Sequence, residues 1–332
     1  MNKKRNEIID ILKGMAILAV IFGHAVQRGL VTNYGNTIGW KIVYSFHMPL
    51  FILLSGFTLY ISTQSYDFKW VKNKIYRLII PLISWTVIVQ LMSNFKFTGL
   101  KPFTEFPDSI YKFIKLSIMH PDWAFWFLWV IFVFMMIFYV INKISRKYMI
   151  VQKYQPIFLV IVEAILIVLP KSHFGINYVV YYFPIFVCGY YISKYKDYIL
   201  KYFRYALVPS ILIWALLVNN YSNSKSTIVY KYVIAFSAMI AIYYFAKFFE
   251  KRLKWMIYLG KNSLQIYVAE SICLNIGIGS GYIRVISIFV TATFFSILIT
   301  EILKANKYTN LVAFGSHKKE NNVKIKKTVS TE

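Results

Sequence analysis

The sequence predicts an all-helical, polytopic membrane protein. Long apolar stretches recur along nearly the whole chain. Hydrophobic residues make up 58% of it and charged residues only 15%, more apolar surface than a soluble domain can bury. Basic residues cluster in alternate connections, as expected of loops held on one side of a bilayer.

About ten spans follow, at roughly 8–28, 40–62, 75–93, 123–141, 156–170, 175–193, 203–219, 228–248, 256–276 and 281–303. Most reach the approximately 20 residues that cross the hydrocarbon core. The fifth is short and ends at Pro170. The first has a basic start but contains His24 and no convincing small-residue cleavage site, so it is expected to be retained. Residues 1–305 read as one transmembrane domain and 306–332 as a basic, disordered cytoplasmic tail.

The net charge of +25 is explained by topology rather than by nucleic acid. Lys3, Lys4 and Arg5 precede the first span. Lys69, Lys72, Lys74 and Arg77, then Lys143, Arg146, Lys147 and Lys153, occupy even-numbered connections or their edges. Lys194, Lys196, Lys201 and Arg204, then Lys247, Lys251, Arg252 and Lys254, continue the pattern. In the odd connection 94–122, lysines are offset by Glu105, Asp108 and Asp122. Both termini are therefore expected in the cytoplasm, in contact with anionic membrane lipid. The same connection, with Pro102, Pro107 and Pro121, is long enough for a lid or an interfacial segment. Cys188 and Cys273 lie in apolar spans, without disulfide or metal spacing.

Ionisable groups inside the spans mark the chemistry, because each is costly in hydrocarbon. His24 lies about 24 Å up the first helix, His47 about 10 Å below the outer end of the second, and Glu270 about 21 Å up the ninth. All three fall in the outer half of a roughly 30 Å core. A histidine beside a carboxylate is the usual arrangement of a general base. The bland reading of each histidine is a ring satisfying a backbone carbonyl, especially His47, where Pro49 frees one. Lys13 lies on nearly the same helical face as His24, about 16 Å nearer the inner edge, and one turn after Asp10. Lys72, Lys74 and Arg77 precede the third span, where a basic cluster can grip phosphates.

The blocks IDILKGMAILAVIFGH (9–24), FHMPLFILLSGF (46–57), KIYRLIIP (74–81), FWFL (125–128), YYFPIFVCGYYISK (181–194) and LGKNSLQIY (259–267) carry a family resemblance. In order and spacing they resemble the membrane-bound acyltransferase family 3, nearest its fucose 4-O-acetylase-like branch, which modifies bacterial surface polysaccharides. The resemblance implies a multi-pass plasma-membrane O-acyltransferase, most simply an O-acetyltransferase. Cytoplasmic acetyl-CoA or another acyl-CoA would be co-substrate, with no bound cofactor and no metal. The acceptor would be a glycan or lipid-linked oligosaccharide, handled beside polysaccharide biosynthesis machinery.

By resemblance, His24 is the catalytic histidine, and the family's first-helix arginine falls on Lys13. That change keeps the positive charge but loses the planar guanidinium fork. Lys74 and Arg77 match the cluster associated with CoA. Ser55 belongs to the SGF block, Trp126 to the aromatic block, and Asn262 and Ser263 open the late block, where they could also cap the ninth helix. The position of Glu270 is often a histidine in this branch. Glu163 matches no motif. The competing readings are a lipid-linked sugar transporter or a non-catalytic membrane protein, although no inverted repeat is evident.

Overall fold

In a computed structural model, residues 6–62, 66–93, 115, 117, 119–222 and 226–316 are described, with the backbone alone at Ser93 and 122–124. Every regular element among them is helical. Among the described residues, seven helical segments are long and apolar enough to cross a membrane: Glu7–Gly29, Ile38–Ser62, Phe68–Met92, Phe125–Lys147, Lys196–Val218, Ile228–Phe248 and Gly281–Ala305. The fifth predicted span is a helix of only 14 residues, Gln155–Val168. The sixth is the tyrosine-rich helix Ile176–Lys194. The ninth is broken at Asn262 into Met256–Lys261 and Ser263–Cys273.

In chain order the helices are α1 (Glu7–Gly29), α2 (Ile38–Tyr44), α3 (His47–Ser62), α4 (Phe68–Lys74), α5 (Ile80–Ser93), α6 (Asp122–Lys147), α7 (Met149–Lys153), α8 (Gln155–Val168), α9 (Ile176–Lys194), α10 (Lys196–Val218), α11 (Ile228–Phe248), α12 (Met256–Lys261), α13 (Ser263–Cys273), α14 (Gly281–Ala305) and α15 (Lys307–Phe314). The sequence-based boundaries miss by several residues where a helix continues into polar sequence. The third span starts at Phe68 rather than 75, because Asp67 caps α4 by accepting the Trp70 N–H at 2.7 Å. Lys72, Lys74 and Arg77 therefore lie within a helix instead of ahead of one. A π-helical turn, Ile75–Ile79, joins α4 to α5, with the Ile80 N–H donating to the Ile75 carbonyl. Pro81 explains it: the residue lacks an N–H, and its ring crowds the carbonyl four residues back, at Arg77. The seventh span likewise starts at Lys196, not 203.

Helix α1 is central, packing against α2, α3, α11, α12, α13 and α14. In its most apolar window 67% of residues are buried, against 6% for peripheral α10. Two reciprocal glycine contacts mark close helix crossings. Gly56 of α3 abuts the Phe186 carbonyl of α9, while Gly189 of α9 abuts the Leu53 carbonyl of α3. Gly14 of α1 and Gly260 of α12 pair in the same way with Met256 and Asp10. In lipid, such small-residue contacts supply the van der Waals packing that hydrophobic burial cannot.

Part of the segment expected to be disordered is helical. Asn306 caps α15, accepting the Tyr308 N–H at 2.8 Å. The helix docks on α5, where buried Trp85 donates Nε1–H to the Ala313 carbonyl at 2.9 Å and stacks on Phe314. Residues 317–332, and nearly all of the connection 94–122, lie outside the described residues.

Replacing Gly189 by Val puts a branched side chain into the Leu53 backbone and should cost at least the ~1–3 kcal/mol typical of overpacking. The expected result is a lower thermal midpoint in detergent, whereas Gly35→Ala, with open space around it, leaves the midpoint unchanged. Trp85→Phe removes the anchor of α15; limited proteolysis should then cut residues 307–316 faster, with no such effect from Ile83→Ala on the exposed face.

Candidate active site

Two cavities open at opposite ends of the bundle. One, of about 420 Å³, takes His24 from the C-terminal half of α1 and His47, Met48 and Pro49 from the start of α3. Tyrosines fill much of its remaining wall, including Tyr44, Tyr178, Tyr181 and Tyr182. The other, of about 450 Å³, takes Lys13 from the N-terminal half of α1 and Ser55, Thr58 and Ser62 from the later turns of α3. Lys74, Arg77 and Lys261 also line it, and no carboxylate stands among its described lining residues.

The histidine cavity holds a dyad. His24 Nδ1 lies 2.9 Å from Glu270 Oε1. The pair joins α1 to α13 across 246 positions of sequence. A carboxylate only accepts, so with Glu270 ionised Nδ1 carries the proton and Nε2 keeps a free lone pair. The His24 side chain is 31% exposed and Glu270 only 2%, so the imidazole faces the cavity while the carboxylate is sealed behind it. Glu270 Oε2 has no hydrogen-bond partner among the described residues, so the described contact of this carboxylate is the one between Oε1 and His24.

His47 is fully within the packed wall, with Nδ1 2.6 Å from the Val43 carbonyl. A carbonyl accepts only, so His47 is a donor there and satisfies the backbone at the α2–α3 break, Ser45–Phe46. Pro49, in the first turn of α3, lacks the N–H that would bond the Ser45 carbonyl, and its ring crowds that carbonyl, in keeping with a break at this point. The edge of the Tyr44 ring packs on His47, with centroids 4.7 Å apart. Trp126 lines the same cavity and stacks on Tyr178 and Tyr182, at 4.6 Å and 5.1 Å.

The basic cavity brings Lys13, Lys74 and Arg77 together, while Lys72, the other member of the cluster expected to grip phosphates, does not line it. Lys74 also lies over the Trp70 ring, 5.1 Å from its centroid. Ser55 faces this cavity with its hydroxyl donated back to the Phe51 carbonyl at 2.8 Å. That bond satisfies the hydroxyl inside the helix. Ser263 lines the cavity as well. Asn262 sits at the start of α13 without capping it. Its amide instead donates to the Tyr258 carbonyl and accepts from Lys304 Nζ at 3.0 Å, tying α14 to the α12–α13 break. Asp10 is buried in α1, its carbonyl pressed against Gly260. Glu163 is half-buried on α8 and lines neither cavity.

Sequence reasoning passed over several lining residues. Phe314 and Ser316 reach the basic cavity because α15 folds back against α5. Lys261, inside the LGKNSLQIY block, also lines the basic cavity. Tyr44, Tyr221 and Lys231 line the histidine cavity. The tyrosine density of 178–182 was a visible signal, yet with 27 tyrosines in the chain it could select none of them.

The family described as Acyltransferase domain, acyltransferase family 3, matches residues 6–304. The chain belongs to this family. Its matched span includes both cavities' helices from α1 to α14 and leaves α15 outside. Two curated proteins, each named nodulation protein NolL, resemble parts of this acyltransferase-family chain. That of Sinorhizobium fredii (strain NBRC 101917 / NGR234) is 30% identical over 103 residues, 29% of this chain and 28% of the relative. That of Mesorhizobium japonicum (strain LMG 29417 / CECT 9101 / MAFF 303099) is 25% identical over 148 residues, 43% of this chain and 37% of the relative. The matches thus span well under half the length of these relatives. No solved structure matches the chain.

Proposed function

We propose that this protein is a bacterial plasma-membrane O-acyltransferase with ten spans and both termini in the cytoplasm. It moves an acyl group, acetyl in the simplest case, from cytoplasmic acyl-CoA to a hydroxyl of a cell-surface or lipid-linked glycan. The observation that carries the reading is the 2.9 Å His24–Glu270 contact on the wall of a tyrosine-lined cavity.

The basic cavity supports a donor site. Lys13, Lys74 and Arg77 complement the phosphates of CoA, and positive-inside asymmetry turns this end of the bundle towards the cytoplasm. Stacked Trp126, Tyr178 and Tyr182 offer flat faces to a sugar ring at the other end. In the reaction, His24 Nε2 takes the acceptor's hydroxyl proton while the oxygen attacks the thioester carbonyl carbon. A C–O bond forms, the C–S bond breaks, and CoA leaves as a thiolate that recovers the proton from His24. Glu270 holds the ring and stabilises its imidazolium form. His47, with Nδ1 committed to Val43, supports the same wall.

His24→Gln should reduce acyl incorporation into surface polysaccharide at least ~10²-fold, the loss expected for a general base, without reducing polysaccharide export. Glu270→Gln should cost about 10- to 10²-fold by weakening imidazolium stabilisation. Mass spectrometry of the polysaccharide reads both. Failed export with unchanged acylation per glycan would instead favour a transporter. The double replacement Lys74→Gln, Arg77→Gln should raise KM for acetyl-CoA roughly tenfold with a much smaller change in kcat, since uniform binding is what it removes.

A further inference from the structure

Among the described residues, two side chains line both cavities: Met48 and Tyr267. We propose that they form the septum between donor and acceptor chambers, and that this septum restricts the donor to a short acyl group. The inference rests on the acyltransferase reading given above.

The linings change over sharply at this level. On α3, His47 faces the histidine cavity, Met48 faces both, and Phe51 faces the basic one. On α6, Trp126 belongs to the histidine cavity and Phe127 to the basic cavity. Tyr267 sits three residues before Glu270 on α13, one turn from the dyad on the same side of the helix. Any thioester carbonyl presented to His24 from the basic cavity has to reach the boundary made by this pair.

The two residues differ in how they yield. Met48 is buried, unbranched and adaptable, so it can swing aside for a small group. The Tyr267 ring is braced edge-on by Phe125 and Phe127, with centroids at 6.0 Å and 5.7 Å. An acetyl group demands little displacement at such a boundary. A butyryl or hexanoyl chain demands that the braced ring move or that Met48 vacate its volume. Each added methylene in a closed pocket is worth about 10–200-fold in discrimination. Met48→Ala removes Cγ, Sδ and Cε and creates that room; Met48→Leu conserves volume and does not.

The test uses membranes from cells that make the polysaccharide, supplied with acetyl-CoA or butyryl-CoA, with the polysaccharide acyl groups read by mass spectrometry. Met48→Ala should raise the butyryl-to-acetyl ratio about tenfold or more, and Met48→Leu should leave it at the wild-type value. A Met48→Ala ratio within twofold of wild type overturns the selectivity claim. A second measurement needs no turnover. With Cys188 and Cys273 replaced by Ala, single cysteines at Met48, Ser55 and Tyr178 are treated with charged methanethiosulfonates in right-side-out and inverted vesicles. Met48→Cys should react from both faces, Ser55→Cys from one and Tyr178→Cys from the other. Reaction of Met48→Cys from a single face overturns the septum. Loss of all acyl transfer in the wild type would count against the acyltransferase reading alone, because the labelling decides the septum independently.

Discussion

A carboxylate sealed inside a membrane bundle has to find a partner, and Glu270 finds His24. An unpaired carboxylate at that depth would cost several kcal/mol (~3–5 by analogy with broken buried pairs). The contact therefore holds α13 against α1 and, at the same time, decides which imidazole nitrogen carries the proton. Because α1 is the helix around which α2, α3, α11, α12, α13 and α14 assemble, this one pairing is placed where the whole bundle can fix its geometry. The same ring that satisfies the carboxylate keeps its other edge towards a cavity.

The surrounding packing serves that placement. Gly14 and Gly260 let α12 lie directly on α1, and the chain then breaks at Asn262 before α13 delivers Glu270. Asn262 spans the break by bonding Tyr258 and Lys304, so the irregular backbone is held by side chains rather than exposed to lipid. On the other side, Gly56 and Gly189 clamp α3 to α9, which sets the tyrosines of α9 opposite His47 and Pro49. Polar groups at the opposite end follow the same economy. The π-turn before Pro81 reshapes the helix that carries Lys74 and Arg77 beside Lys13.

Much of this was legible in the chain. Apolar runs gave the helices, and intramembrane His24 and Glu270 stood out because ionisable groups are costly there. Their estimated depths agreed, and the structure joins them. Less legible were features that depend on distant contacts. The helix starts at Phe68 and Lys196 extend into polar sequence. Residues 307–314 look like an unstructured basic tail in isolation, yet fold because Trp85 and α5 offer a surface. Asn262 occupies a capping position, and only its bonds to Tyr258 and Lys304 reveal a different use.

Sequence by itself determined the helical membrane class, the acyltransferase resemblance and the short list of ionisable side chains, because hydropathy, charge asymmetry and motif spacing are local properties of the chain. Tertiary structure alone decided that His24 meets Glu270, that Lys13 faces a different cavity from His24 on the same helix, and that Met48 and Tyr267 line both. Such relations depend on how helices cross, and crossings are set by contacts such as Gly56 with Phe186, which unite residues far apart in the chain.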